Sequence, residues 1–238
     1  MKEDKTALSW WFPRIEAAGL PVPRTKIIKM PPAAQEDIWH AFDGEDGSGA
    51  LAEFGAHLRA SAEDLGVPFF LRTDHTSGKH EWKRTCFVAD PAEIAVHVFA
   101  LAEFSEIAGG LMGLPWDTWV LREFLPTRPL GVCPHYGDMP VCREFRFFVD
   151  GGTVRCHHPY WPEAALEEGG CAAIDYEGLC STLDGDALRA LASAAGKACG
   201  GSWSVDILDT DRGWVITDMA EAHKSFHWDG CPTVARAA

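Results

Sequence analysis

At 238 residues, with 47% apolar and 24% charged side chains, the chain has ordinary globular composition and the length for one large domain or two small lobes. That excludes a disordered chain and removes any need for disulfide or metal staples; the apolar runs also fall far short of the ~20 residues a membrane span requires. Lys and Arg number 21 against 35 Asp and Glu, a net charge of −14, so broad nucleic-acid binding is disfavoured while a local basic pocket for one triphosphate stays open.

The charged start Met1-Lys2-Glu3-Asp4-Lys5 is followed by no signal-peptide core, and a cytoplasmic location without a membrane partner is the expectation. Trp10 to Gly19 reads as a short helix stopped by its glycine. Pro21 to Thr25 leads into a strand, Lys26 to Ile28, and Gln35 to Phe42 reads as helical. Asp43 to Gly49 is a flexible linker by composition. Ala50 to Leu65 follows as a helix with Leu51, Phe54, Leu58 and Leu65 near one face, stopped by Gly66. Pro68 to Arg72 is a buried strand that runs into a polar loop, Thr73 to Glu81, and Thr85 to Val88 is a further strand. Asp90 as N-cap and Pro91 in the first turn open a helix with Ile94, Val98, Leu101 and Ala108 as its apolar stripe.

The second half is richer in hairpins. Thr118 to Leu125 and Val141 to Val149 read as strands, and Asp150-Gly151-Gly152 turns the second back into Thr153 to His158. Asp184 to Ala198 is an alanine-rich helix stopped at Gly200-Gly201. Ser202 to Asp209 and Trp214 to Met219 form a second hairpin, and the aromatics Phe226 and Trp228 are expected to pack rather than trail free. No internal repeat occurs. This order argues for α+β lobes rather than a doubly wound parallel sheet. Three parts are expected: residues 1–66, a small lobe 67–119, and a large lobe 120–238.

The eight cysteines include no C-x-x-C pair, so neither a zinc ribbon nor a thioredoxin-like motif is supported. Cys156-His157-His158 lies on a predicted strand, where neighbouring side chains alternate faces and cannot all converge on one ion. Three stretches carry chemistry. Arg72 ends a strand just before Ser77-Gly78-Lys79, and backbone N–H groups beside a glycine with a lysine suit a polyphosphate, or form an exposed basic loop. Glu144 and Arg146 share one face of a strand whose other face holds Phe145 and Phe147; such a face lines a cleft or is a solvated face with cross-strand ion pairs. Asp206 and Asp218 sit among apolar neighbours on paired strands, where they suit Mg²⁺ or bind Arg or Lys partners.

Taken together, Arg72, Ser77-Gly78-Lys79, Val120 to Leu125, Glu144-Phe145-Arg146 and Asp206 with Asp218 resemble an ATP-grasp enzyme, as does the opening Gly19-Leu20-Pro21-Val22-Pro23-Arg24-Thr25. The likeness is strongest to the phage and bacterial branch that keeps an arginine and two lysines, and to related eukaryotic factors that assemble a translation-initiation complex. The resemblance implies two α+β lobes with the nucleotide held between antiparallel sheets. It implies that Arg72 meets the α- and β-phosphates, that Lys79 sits in a mobile loop over the triphosphate, and that Arg146 approaches the transferred phosphate. Val120 to Leu125 matches the inter-lobe hinge, so Glu123, Phe124 and Leu125 lie by the adenine, and Asp206 and Asp218 match the magnesium carboxylates. The family commonly ends its last strand in Glu-x-Asn, whereas this chain has Asp218-Met219-Ala220; either Glu221 supplies the missing oxygen or the second metal is weakened.

The expected function is an ATP- and magnesium-dependent ligase that phosphorylates a carboxylate and passes it to an amine or similar nucleophile. His157, His158 and His223 are candidate substrate-side groups. The alternative is a non-catalytic ATP-binding assembly factor for a protein partner. Nucleic-acid end joining conflicts with the net charge and lacks a Lys-x-Asp-Gly motif.

Overall fold

The computed structural model describes residues 4–112, 114–171, 174–180 and 185–228. The chain divides into two compact units, one of Met1–Pro23, Leu125–His135 and Pro140–Ala238, the other of Arg24–Phe124 and Tyr136–Met139. Residues 24–66 fall in the same unit as the segment that follows, where the first strand pairs with the strand at 118–123. Among the described residues no helix is long and apolar enough to cross a membrane.

The first unit opens with α1 (Leu8–Ala17), which buries Leu8, Trp11, Phe12 and Ile15 at helical spacing. The chain then builds the second unit from β1 (Thr25–Lys29), α2 (Pro32–Phe42), α3 (Ala50–Ala62), β2 (Phe69–Thr73), β3 (Phe87–Val88), α4 (Ile94–Met112) and β4 (Thr118–Glu123). Its four strands form an antiparallel sheet in the order β1-β4-β2-β3. Alternation along β2 and β4 sends Phe69, Leu71, Trp119 and Leu121 into one core with Ile38, Phe54, Leu58, Ile94, Val98 and Leu101 of the helices. The intervening residues, Phe70, Arg72, Val120 and Arg122, therefore take the opposite face.

The stretch 43–49 is pinned rather than loose. The buried Asp37 carboxylate accepts the N–H of Leu51 at 2.9 Å and of Ser48 at 2.6 Å, and these bonds, Leu51 first, pull its pKa down to about 2. Asp90 caps as expected, accepting from the N–H of Ala92 at 2.8 Å, but it caps a 3-10 turn, Pro91–Glu93, that feeds α4. The strand expected at Thr85 to Val88 shortens to Phe87–Val88. Its first residue, Thr85, instead donates its hydroxyl to the carbonyl of Gly78 at 2.7 Å.

The chain continues with β5 (Gly131–Cys133), β6 (Met139–Val141), β7 (Glu144–Asp150), β8 (Thr153–Pro159), α5 (Glu163–Glu168), α6 (Tyr176–Cys180), α7 (Asp186–Cys199), β9 (Ser202–Thr210) and β10 (Gly213–Glu221), all in the first unit except Met139. Strands β10-β9-β7-β8 make the main antiparallel sheet, and β5 with β6 makes a small ribbon. One sheet face is apolar and buried, with Phe145, Phe147, Val205, Ile207, Ile216 and Met219. Helix α7 meets that face through Leu188, Ala192, Ala195 and Gly196. The small residues let the helix lie low on the sheet.

One close approach is at Gly196, where an added Cβ would stand 2.6 Å from Cγ2 of Val149. Alanine there would gain about 1 kcal/mol of helix propensity, but overpacking a core costs about 1–3 kcal/mol. Packing should win. Gly196→Ala is expected to lower the thermal midpoint by several degrees, and an equal or higher midpoint would show that α7 does not rest on Val149.

Candidate functional site

In the main sheet of the first unit the ladders align one residue from each strand. His158 on β8 faces Arg146 on β7, Arg146 faces Asp206 on β9, and Asp206 faces Asp218 on β10. Directly opposed residues share a face, so this polar row crosses the sheet on the side away from α7. Arg146 donates from Nε to Oδ1 of Asp206 at 2.7 Å and from Nη2 to Oδ2 at 2.8 Å. The Tyr160 ring lies 4.8 Å from the same guanidinium. Burial works against the arginine's charge, but the charge and hydrogen bonds of Asp206 outweigh it and hold its pKa above the ordinary value.

The ladder shifts between Ile216 and Asp218, leaving Thr217 as a bulge. The Thr217 hydroxyl donates to Oε1 of Glu144 at 2.9 Å, and the carbonyl of Asp206 lies 3.3 Å away. The bulge lets Ile216 and Met219 both reach the core while Asp218 stays beside Asp206. Its Oδ1 accepts the N–H of Met219 at 3.0 Å.

Glu221 is placed elsewhere. It stands opposite Trp203, three residues past Asp218 and so on the other side of the strand, with Thr6 Oγ1 and Lys224 Nζ each 3.4 Å from its Oε2. The structure therefore brings Asp206 and Asp218 together and leaves Glu221 out. Among the described residues no three His, Cys, Asp or Glu side chains form a metal-holding group. The two aspartates fit magnesium, which takes one or two carboxylates and completes its shell with water and phosphate oxygens.

The histidines part in the same way. His157 faces Phe147, stacks on it with centroids 5.2 Å apart, and approaches Arg189 of α7 at 3.3 Å. His158 is buried on the polar face, its Nδ1–H donating to the Pro159 carbonyl at 2.7 Å and its ring stacked 4.7 Å from Trp228. Burial, followed by the neighbouring Arg146 charge, brings its pKa down to about 4. His223 lies exposed in the 3-10 turn Ala222–Lys224. Trp228 and its neighbours pack on the sheet, while Phe226 is 64% exposed.

In the second unit Arg72 is buried on the sheet face away from the helices, with its Nε donating to the Thr73 carbonyl at 3.1 Å. Arg122, which sequence reasoning did not single out, is buried on that same face, opposite Phe70 and Thr25. Alternation across β2 and β4 was the signal that pairs the two arginines. The loop after Arg72 is clipped. Thr76 Oγ1 meets Thr73 Oγ1 at 2.7 Å and Ser105 Oγ at 2.6 Å, and Gly78 turns with φ +60° against Thr85. Lys79 then begins a 3-10 turn, half-exposed.

Glu123 is buried and bonded to Arg24, accepting its backbone N–H at 2.8 Å and its Nε–H at 3.0 Å. Phe124 packs edge-on against Phe87 at 5.2 Å, and Leu125 is buried in the first unit.

The family model described as ATP-grasp domain, R2K clade family 3, matches residues 61–231. No curated protein sequence matches the chain. Among solved structures, C-terminally truncated Cdc123 from Schizosaccharomyces pombe is similar, with a TM-score of 0.57 and 14% identity over 91% of this chain and 83% of that one. The ATP-grasp ligase PsnB, solved with a phosphomimetic variant of its minimal precursor, Mg and ADP, has a TM-score of 0.51 and 12% identity over 98% of this chain. This chain spans 57% of the PsnB chain. At these identities the likeness is one of fold: mixed α and β with antiparallel sheets.

Two outcomes follow from the polar row. Asp206→Ala leaves the buried Arg146 guanidinium without its carboxylate and should destabilise the protein by about 3–5 kcal/mol in urea unfolding. A loss within 0.5 kcal/mol or so would mean solvent satisfies Arg146. His158 takes its proton near 6.5 when unfolded and near about 4 when folded, so the unfolded chain binds more protons between those values. Its contribution is complete above pH 6.5 and declines as pH falls toward 4, so the stability gap between wild type and His158→Gln should change across that window. Parallel curves would argue against a buried neutral imidazole.

Proposed function

Because the chain belongs to the ATP-grasp domain, R2K clade family 3, we propose that it is a cytoplasmic, ATP- and magnesium-dependent ligase that activates a carboxylate by phosphoryl transfer and delivers it to an amine or similar nucleophile. The observation that carries this reading is the row Arg146–Asp206–Asp218, three charged side chains in register on one sheet face. Arg146 is held in orientation by Asp206 and presents a fixed guanidinium to the transferred phosphate. Arg72, fixed on its strand, would bind the α- and β-phosphates, and Lys79 in the following turn the outer phosphate charge. The strand end at Glu123 to Leu125 would flank the adenine. Magnesium, when bound at Asp206 and Asp218, would neutralise phosphate charge. Positioning by these side chains supplies most of what phosphoryl transfer requires.

A second reading has one observation in its favour. Both oxygens of Asp206 are engaged by Arg146, which suits an ATP-binding assembly factor that holds a protein partner without turnover. Calorimetry and ADP release separate the two. ATP should bind only with magnesium. Arg72→Ala should weaken binding about 10- to 100-fold, the equivalent of one charge-assisted bond. Asp218→Asn should abolish the magnesium-dependent ATP binding and ADP release with the melting curve unchanged. ATP affinity indifferent to Arg72→Ala and Asp218→Asn would place the nucleotide elsewhere, and binding without any ADP release in the presence of amino-acid and peptide carboxylates would favour the assembly factor.

A further inference from the structure

On the polar face of the first unit's sheet, Cys156 occupies the ladder position next to His158, opposite Phe148. Its sulfur lies 3.0 Å from Nε2 of His227. The other ring nitrogen of His227, Nδ1, is 3.3 Å from the Trp228 carbonyl, which can only accept. The ring proton therefore sits on Nδ1, and Nε2 presents its lone pair to the Cys156 thiol. A thiol, an imidazole that accepts from it, and a carbonyl that fixes the tautomer are the three parts of an activated sulfur nucleophile. Phe148 packs on the His227 ring with centroids 4.3 Å apart and excludes water from one side.

Other cysteines have different surroundings. Burial pushes the thiol of Cys86 up to about 12 and those of Cys171 and Cys199 up to about 11. Cys86 donates to the Trp82 carbonyl at 3.9 Å and Cys171 to the Val132 carbonyl at 3.2 Å. A second observation lies on the same sheet face, two residues along the strand. His158, 95% buried by its 5% exposure, meets no hydrogen-bond partner at Nε2 among the described residues, although Nδ1 is satisfied. Since Nδ1 carries the proton, Nε2 is an acceptor suited to an N–H of a bound molecule.

We propose that Cys156, with His227 as its base, is an acyl acceptor: it takes the acyl group of an acyl phosphate as a thioester. This role rests on the ligase reading, whose activated carboxylate is an acyl phosphate, and it names the first nucleophile. The sulfur attacks the acyl carbon, the bond from that carbon to the phosphate oxygen breaks, and phosphate leaves with the electron pair. The thiol proton passes to Nε2 of His227 and then to the departing phosphate. The N–H of an amino-acyl or peptidyl group is the donor that Nε2 of His158 accepts. Cys156 is on the same sheet face as Arg146, one ladder step of about 7 Å along the strand. It is 6% exposed beneath the segment 225–228, held by the Ser225–Ser204 hydroxyl pair at 2.5 Å and by Arg146 Nη1 on the Phe226 carbonyl at 3.4 Å. That short segment must shift for the acyl group to enter.

The test uses the full chain and acetyl phosphate, which bypasses ATP. At pH 7, peptide mapping by mass spectrometry should find a hydroxylamine-labile acetyl group on Cys156, formed about tenfold or more faster than on the half-exposed Cys180 or Cys199. His227→Gln should slow labelling of Cys156 by a similar factor and leave that of Cys180 and Cys199 unchanged. Cys156→Ser should remove the labile label. Labelling of Cys156 no faster than of Cys180 and Cys199, or a rate untouched by His227→Gln, would overturn the proposal. ATP binding is followed separately by calorimetry: intact binding without acetylation sinks the thiol acceptor alone, and acetylation without ATP binding sinks the ligase reading and leaves the acceptor chemistry in place.

Discussion

Arg146 and Asp206 face each other across the β7–β9 ladder, and much of the first unit can be understood from that pair. Removing a guanidinium and a carboxylate from water costs several kcal/mol each, and only close, two-pronged geometry offsets it. The geometry exists in one register. A slip of one residue on either strand would send the arginine or the aspartate toward α7 and bring Phe145 or Ile207 to the polar side. The apolar face against α1 and α7 and the charged face opposite are therefore a single specification, made twice. The core selects the register, and the ion pair makes its neighbours expensive.

Much of this was legible beforehand because period-two alternation needs no partner to be read. Phe145 and Phe147 against Glu144 and Arg146 marked two faces before any sheet was known, and Asp206 with Asp218 followed from two short strands joined by a turn. The bulge at Thr217 was hidden. It adds one residue to β10, so Ile216 and Met219 share a face at a spacing of three, which alternation alone does not anticipate. The side taken by Glu221, by contrast, follows from plain alternation, since the spacing of three from Asp218 contains no bulge. Segments whose conformation depends on distant groups were also missed. Residues 43–49 look like a linker, but Asp37, upstream in a helix, supplies the acceptor that fixes them. The ribbon of β5 and β6 was concealed by Pro129, Pro134 and Pro140, which read as loop, and α5 and α6 are too short for a periodic signal.

The second unit shows how an acidic chain sustains concentrated positive charge. Arg72 and Arg122 sit on adjacent strands, on the face turned from the helices, and both are buried. Their effect is local: at about 8 Å of screening length in physiological salt, the surface carboxylates that produce the net charge of −14 are largely invisible to a group bound against that face. Net charge thus bears on what the whole surface attracts. It says little about a pocket a few ångströms across.

Arg24 and Glu123 are usually read as one more ion pair, yet they stand at the two ends of the segment that forms nearly all of the second unit. The Arg24 N–H and Nε–H both end on the Glu123 carboxylate, and the Glu123 N–H returns to the Arg24 carbonyl at 3.0 Å. Apart from Tyr136–Met139, the unit is an insertion that leaves the chain and rejoins it at one rung of a ladder. Its loop-closure entropy is met within its own hydrogen bonds. Joined ends of this kind are what circular permutation and domain transplantation require, and they make residues 24–124 a module that could be gained, lost or exchanged as a block.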